Sequence, residues 1–183
     1  MTKIINLWAG GGVGKSTNQA RLFYMMKSIE KDHGFRVEMV REYVKPFAWM
    51  KTPINSAMQN HIFFSQLQLE MTLVGNVDYI ITDSPTGISC VYHEYYVKTP
   101  APMLRWENLK RSTVEVFDFW CPRVKPYNQD GRYETAEMAK DVDAFMQKYI
   151  EDGAFIGREP LRVLKPDVNF ADEIFELVKE KAL

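Results

Sequence analysis

Lys3-Ile4-Ile5-Asn6-Leu7-Trp8-Ala9-Gly10-Gly11-Gly12-Val13-Gly14-Lys15-Ser16-Thr17 is the stretch on which the fold turns. It joins an apolar strand-length run, Ile4 to Trp8, to a glycine-rich loop and then to a helix. The helix is predicted from Lys15 to about Lys31, with Leu22, Met25, Met26 and Ile29 at helical spacing. A glycine-rich turn before a helix is common by itself. Gly-Lys-Ser set between a strand and an amphipathic helix is far more specific. Glycines let the backbone curl so that successive N–H groups face phosphate oxygens, and the helix start adds its positive end. A lysine at this place reaches the outer phosphates, and the next hydroxyl ligates magnesium. The expected nucleotide site is therefore Gly10, Gly11, Gly12, Val13, Gly14, Lys15, Ser16 and Thr17, holding ATP and Mg2+. Ala9 stands where the strict pattern has glycine.

Outward from the loop, strand and helix patterns alternate. Further strands are predicted over Arg36 to Val40, Val77 to Thr82, Ser112 to Trp120 and Leu161 to Leu164. Helices are predicted from Thr52-Pro53 to about Val74, with Thr52 as cap, and from Thr135 to Ile150. A last helix follows Asn169, read as its cap. The alternation predicts a three-layer α/β sandwich around a mainly parallel five-stranded sheet, one domain over residues 1–183.

Composition narrows the classes. Hydrophobic residues at 46% and charged residues at 26% describe a soluble globular chain long enough to bury a core. A net charge of -1 supplies no global field for nucleic acid, although a local basic groove stays open. Cys90 and Cys121 lack metal-ligand spacing and argue for a reducing cytoplasm over a disulfide framework. No apolar run approaches the ~20 residues of a membrane span, and the segment before the loop is too short for a signal peptide.

Two acids follow strands. Val77 to Thr82 runs into Asp83, where a carboxylate can help Ser16 hold magnesium. The plain alternative is an Asp that only starts the Asp83-Ser84-Pro85 turn. Arg41-Glu42-Tyr43 follows the second strand. Glu42 is a candidate proton acceptor for an attacking hydroxyl, and Arg41 a candidate anion holder; the alternative is a surface ion-pair segment. Gln66, with Gln59 and Phe63 on one predicted helix, is a candidate to read a base. Trp49, Phe64, Tyr92, Tyr95, Tyr96 and Trp106 surround this region, and core packing is the simpler account of each. His61 and His93 have no metal-like partners. Cys121 to Glu134 carries prolines, Gly131 and the cations Arg123, Lys125 and Arg132. It is expected to be a lid whose arginines, Arg123 and Arg132, balance transferring charge with Lys15; otherwise it is a solvated loop.

Together the loop, Arg41-Glu42-Tyr43, Ile80-Ile81-Thr82-Asp83-Ser84-Pro85 and Gly131-Arg132-Tyr133 resemble small phage-encoded P-loop kinases, often labelled AAA-type ATPases. These look related to nicotinamide-riboside kinases and, more distantly, to thymidylate-kinase-like enzymes. The resemblance implies a P-loop NTPase fold and γ-phosphoryl transfer to a nucleoside, nucleotide or nucleobase-type acceptor in the host cytoplasm. Some phage members phosphorylate 5-hydroxymethyluracil in DNA, which adds base-modified DNA to the implied acceptors. Thymidylate kinases usually carry Asp-Arg where this chain has Asp83-Ser84. A partitioning-type ATPase switch is the second reading, although its signature lysine would fall at Gly10. A GTPase lacks support, since no Asn-Lys-x-Asp motif is present.

Overall fold

The computed structural model describes residues 1–156, 161–167 and 169–182. Among them five strands form one sheet: β1 (Lys3–Trp8), β2 (Val37–Val40), β3 (Tyr79–Thr82), β4 (Glu115–Trp120) and β5 (Arg162–Val163). Seven helices connect or follow them: α1 (Lys15–His33), α2 (Lys45–Trp49), α3 (Ser56–Leu73), α4 (Gly87–Val97), α5 (Leu104–Arg111), α6 (Ala136–Glu151) and α7 (Ala171–Ala182). The order across the sheet is β2-β3-β1-β4-β5, and every pairing is parallel.

Parallel pairing puts all the carboxyl ends on one edge. Asn6 lies opposite Thr82, Val40 opposite Thr82, and Trp8 opposite Trp120. The segments that leave these ends are the glycine loop after Trp8, Arg41-Glu42 after Val40, and Asp83 after Thr82. The crevice beyond strand ends is where open α/β sheets bind ligands.

The layers follow from strand alternation. Ile5 and Leu7 of β1, Tyr79 and Ile81 of β3, and Phe117 and Phe119 of β4 face one side, packing with Leu22, Met26, Phe170, Ile174 and Val178 of α1 and the α7 region. Ile4, Ile80 and Val116 face the other side with Val40 and Val114. Trp8 and Trp120 point the same way, into a cluster with Phe63, Val91, Val142, Met146 and Ile150 from α3, α4 and α6. Both faces of the sheet are thus covered.

A buried polar network runs through the second layer. Arg111 donates to Glu107 Oε1 at 2.9 Å and to Asp118 Oδ2 at 2.9 Å. Asp118 Oδ1 also accepts from Asn6 at 2.8 Å and from the Trp8 indole at 2.6 Å. Lys110 meets Glu70 at 2.8 Å and Glu107 at 3.1 Å, and Thr86 joins both Lys110 and Glu107. Burial favours the neutral form of Glu70 and raises its pKa above 4.5, the Lys110 charge opposing. Burial would do the same to Glu107, but Lys110 and Arg111 more than offset it and hold that carboxyl below 4.5. The network ties α3 and α5 to β4, to the last residue before the glycine loop, and to the turn after Asp83.

Some boundaries differ from the sequence expectation. Helix α3 starts at Ser56, not at Thr52-Pro53. Asn55, in extended conformation, accepts the Met58 N–H at 2.9 Å and is the better cap. The second strand starts at Val37, not Arg36, and the fourth at Glu115, not Ser112. Helices α2, α4 and α5 were not predicted. The Ala171 N–H that opens α7 is bound by Asn18 Oδ1 of α1 at 3.0 Å, whereas the Asn169 N–H turns to Asp167. Both cysteines are buried and free. No helix among the described residues is long and apolar enough to cross a membrane.

Candidate functional site

The loop residues 9–17 line a cavity of about 400 Å³ at the carboxyl edge of the sheet. Gly14 caps α1 at φ 100°, a left-handed conformation glycine adopts without strain, and it brings no side chain to bond the first N–H groups. No acid occupies the first turn of α1 either. The first N–H groups of a nineteen-residue helix therefore open towards the cavity with their partial positive charge uncompensated. Lys15 Nζ donates to Ala9 O at 2.6 Å and Gly10 O at 2.8 Å. An ammonium has three donors, so one remains for a ligand.

Glu42, Asp83 and Glu134 line the same cavity. Burial raises the Glu42 carboxyl above its ordinary 4.5; the Lys15 charge opposes the shift and the Asp83 charge adds to it. Asp83 Oδ1 is buried without a hydrogen-bond partner. A hard cation takes carboxylate and hydroxyl oxygens, so Asp83 and the exposed Ser16 hydroxyl fit a magnesium ion. Gln19 sets this lining. Its buried amide donates to Val40 O at 2.7 Å and to Ile81 O at 2.9 Å, locking together the strand ends that carry Glu42 and Asp83.

Helices α2, α3 and α4 supply more of the chamber's walls. Ile88, Ser89, Tyr92 and Tyr96 come from one face of α4, Gln59 and Ile62 from α3, and Lys45 and Ala48 from α2. The Tyr92 and Tyr96 rings are stacked, 6.0 Å apart and 9° from parallel. Tyr96 Oη donates to Glu134 at 3.3 Å.

The segment from Cys121 to Thr135 has no helix or strand and lies over the loop. The Tyr127 ring stands between the Arg123 and Arg132 guanidinium groups at 5.4 and 5.6 Å. Arg132 borders Gly11 and Gly12 and lines the cavity. Its far end is fastened twice. Gly131 packs beneath the Trp49 ring, and Tyr133 Oη donates to Thr52 O at 2.8 Å.

The loop residues, Lys15, Ser16, Glu42, Asp83 and Arg132 therefore surround one cavity. Three expected residues do not line it. Arg41 is exposed outside it. Gln66 is buried, and its Oε1 accepts the Tyr43 N–H at 2.9 Å, so it braces the turn behind Glu42. Arg123 reaches the Gly11 carbonyl and Asp143 behind the loop instead of standing over the cavity. Trp49, Phe64, Tyr96 and Trp106 are exposed, against their expectation as core, while Phe63 is fully buried. Gln19, Glu134 and Asp143 were missed, because each acts through a partner distant in the chain.

No protein-family model matches the sequence, and no curated protein matches it. Among solved structures, the crystal structure of APE1195 superposes with a TM-score of 0.51 at 14% identity, over 100% of this chain and 97% of that one. That likeness concerns the fold alone.

Proposed function

We propose that this protein is an ATP- and magnesium-dependent phosphotransferase acting on a hydroxyl-bearing acceptor of nucleoside type. The observation that carries the reading is one cavity that joins two kinds of group. An open helix start and a glycine loop with Lys15 line it together with Glu42, whose proton affinity is raised, and Asp83. Residues 9–17 then act as a P-loop. Ser16 and Asp83 would hold the magnesium, which would supply charge neutralisation on the phosphates.

In the transfer the acceptor oxygen forms a bond to the γ-phosphorus as the bridging Pγ–O bond breaks and ADP leaves. The acceptor proton passes to Glu42, whose proton affinity burial raises. Lys15 and Arg132 compensate the charge on the moving group.

The lining supports a hydroxyl acceptor over a phosphorylated one. With Lys15 and Arg132 given to the triphosphate and Asp83 to magnesium, the lining leaves Glu42 and Glu134 against Lys45, and Arg41 lies outside. A nucleotide monophosphate would bring further negative charge to an already acidic lining. Tyr92, Tyr96 and the Gln59 amide suit a flat ring with polar edges.

The test is transfer of labelled γ-phosphate from ATP to nucleosides, nucleoside monophosphates, nicotinamide riboside and DNA containing 5-hydroxymethyluracil. Labelled nucleoside supports the reading. Labelled monophosphate or DNA alone overturns the acceptor assignment. ATP consumption with no labelled acceptor favours the nucleotide-switch alternative.

A further inference from the structure

Asp143 lies on α6, directly behind the glycine loop. Its Oδ1 accepts the Gly10 N–H at 2.6 Å, and its Oδ2 takes Arg123 Nε at 2.7 Å. Arg123 Nη1 continues to Gly11 O at 2.8 Å. The pair is 12% and 14% exposed. A Cβ at position 10 would stand 2.6 Å from Asp143 Oδ1 and 3.6 Å from Ala139 O, so α6 and the loop touch backbone to side chain.

The charge pattern gives the contact a purpose. Carbonyl oxygens beside a phosphate site repel it. Here the carbonyls of residues 9 and 10 are bound by Lys15 and that of Gly11 by Arg123, so cations compensate all three. The Asp143 carboxylate anchors Gly10 but brings a full negative charge against the same loop, and Arg123 cancels it. We propose that Asp143 and Arg123 are positioning residues that preset the loop for a triphosphate, with Arg123 acting from behind the loop instead of closing over the transferring group. The proposal rests on the nucleotide reading of residues 9–17.

The sign of the effect separates this role from others. Arg123→Ala leaves the Asp143 charge unpaired beside Gly10. Adding Asp143→Asn removes that charge while keeping an oxygen for the Gly10 N–H. ATP and ADP affinity is measured by calorimetry for the wild type, Arg123→Ala and the double variant, with melting curves for each. Arg123→Ala is expected to weaken ATP binding by about tenfold or more, as stranding one member of a nearly buried charge pair does. The double variant is expected to bind severalfold tighter than Arg123→Ala. A structural role alone lowers melting temperature without that rescue. A lid role lowers kcat at unchanged ATP affinity, and either outcome overturns the proposal. A wild type that binds no ATP sinks the nucleotide reading and this proposal together; a wild type that binds while the double variant shows no rescue sinks only this one.

Discussion

The Tyr133 hydroxyl donates to the Thr52 carbonyl at 2.8 Å, joining the irregular segment over the loop to the stretch that leads into α3. This single bond spans the chamber roof. A neutral hydrogen bond of this kind is worth about 0.5–1.5 kcal/mol net. Tyr133→Phe is expected to raise the acceptor KM about two- to tenfold, with ATP affinity unchanged. Steady-state kinetics with each substrate varied separately checks this; an unaltered acceptor KM would remove the bond from the roof.

Lys15→Ala removes the donor to Ala9 and Gly10 together with the ammonium facing the cavity. Turnover should fall by at least about 10²–10³-fold, the usual loss for a charge-stabilising donor in such a site. Lys15→Arg should not restore it, because a rigid guanidinium fork replaces three freely aimed donors. Phosphoryl transfer at saturating substrate decides the matter, and near-normal transfer by Lys15→Ala would sink the site assignment.

Burial raises the Glu42 pKa, which fixes two opposite pH trends. Transfer rate should climb with pH through an inflection above 4.5 as the carboxylate forms, and Glu42→Gln should be slow with that inflection gone. Stability runs the other way. Between the unfolded and folded pKa values the folded state holds the extra proton, so this group's contribution is lost as pH rises through the folded value. Glu42→Gln should therefore melt higher than the wild type at pH 8, with the gap closing at pH 4. Melting curves at both pH values, set beside the pH–rate profile, test the pair; a variant less stable at pH 8 contradicts it.

Arg111 is buried between Glu107 and Asp118. Arg111→Met leaves Asp118 without its cation and Glu107 with Lys110 alone, for which the expected cost is about 3–5 kcal/mol. Denaturant unfolding of the purified variant measures it. A variant that unfolds at the wild-type midpoint would mean that the network adds nothing to stability.

The loop and the sheet were legible because their signals are local. Glycine spacing, Gly-Lys-Ser and the apolar runs of β1 and β3 sit within a few residues of one another. Helix α6 was equally plain, since Val142, Phe145, Met146, Tyr149 and Ile150 repeat at helical spacing. Helices α4 and α5 gave no such stripe. The Gly87 to Val97 stretch is buried around most of its first two turns and rich in β-branched and aromatic residues, so its pattern is not that of a surface helix. Asp143 stands outside the apolar stripe of α6, near Lys140 and Asp141. Its partners Gly10 and Arg123 lie 133 and 20 residues away, and nothing local names them. Arg123 was expected in a lid over the transferring phosphate; it binds Asp143 and the Gly11 carbonyl instead, and the side from which it approaches depends on α6.

Trp49 has a use its packing did not require. Its ring rests on Gly131 yet is 63% exposed, while Trp8 and Trp120 are buried in the core and Trp106 stands against Phe64. Its ring is the exposed indole that packs on Gly131, at the far end of the segment over the loop. Its emission is thus a built-in optical gauge of whether the roof is seated, readable in unlabelled protein as ligands are added.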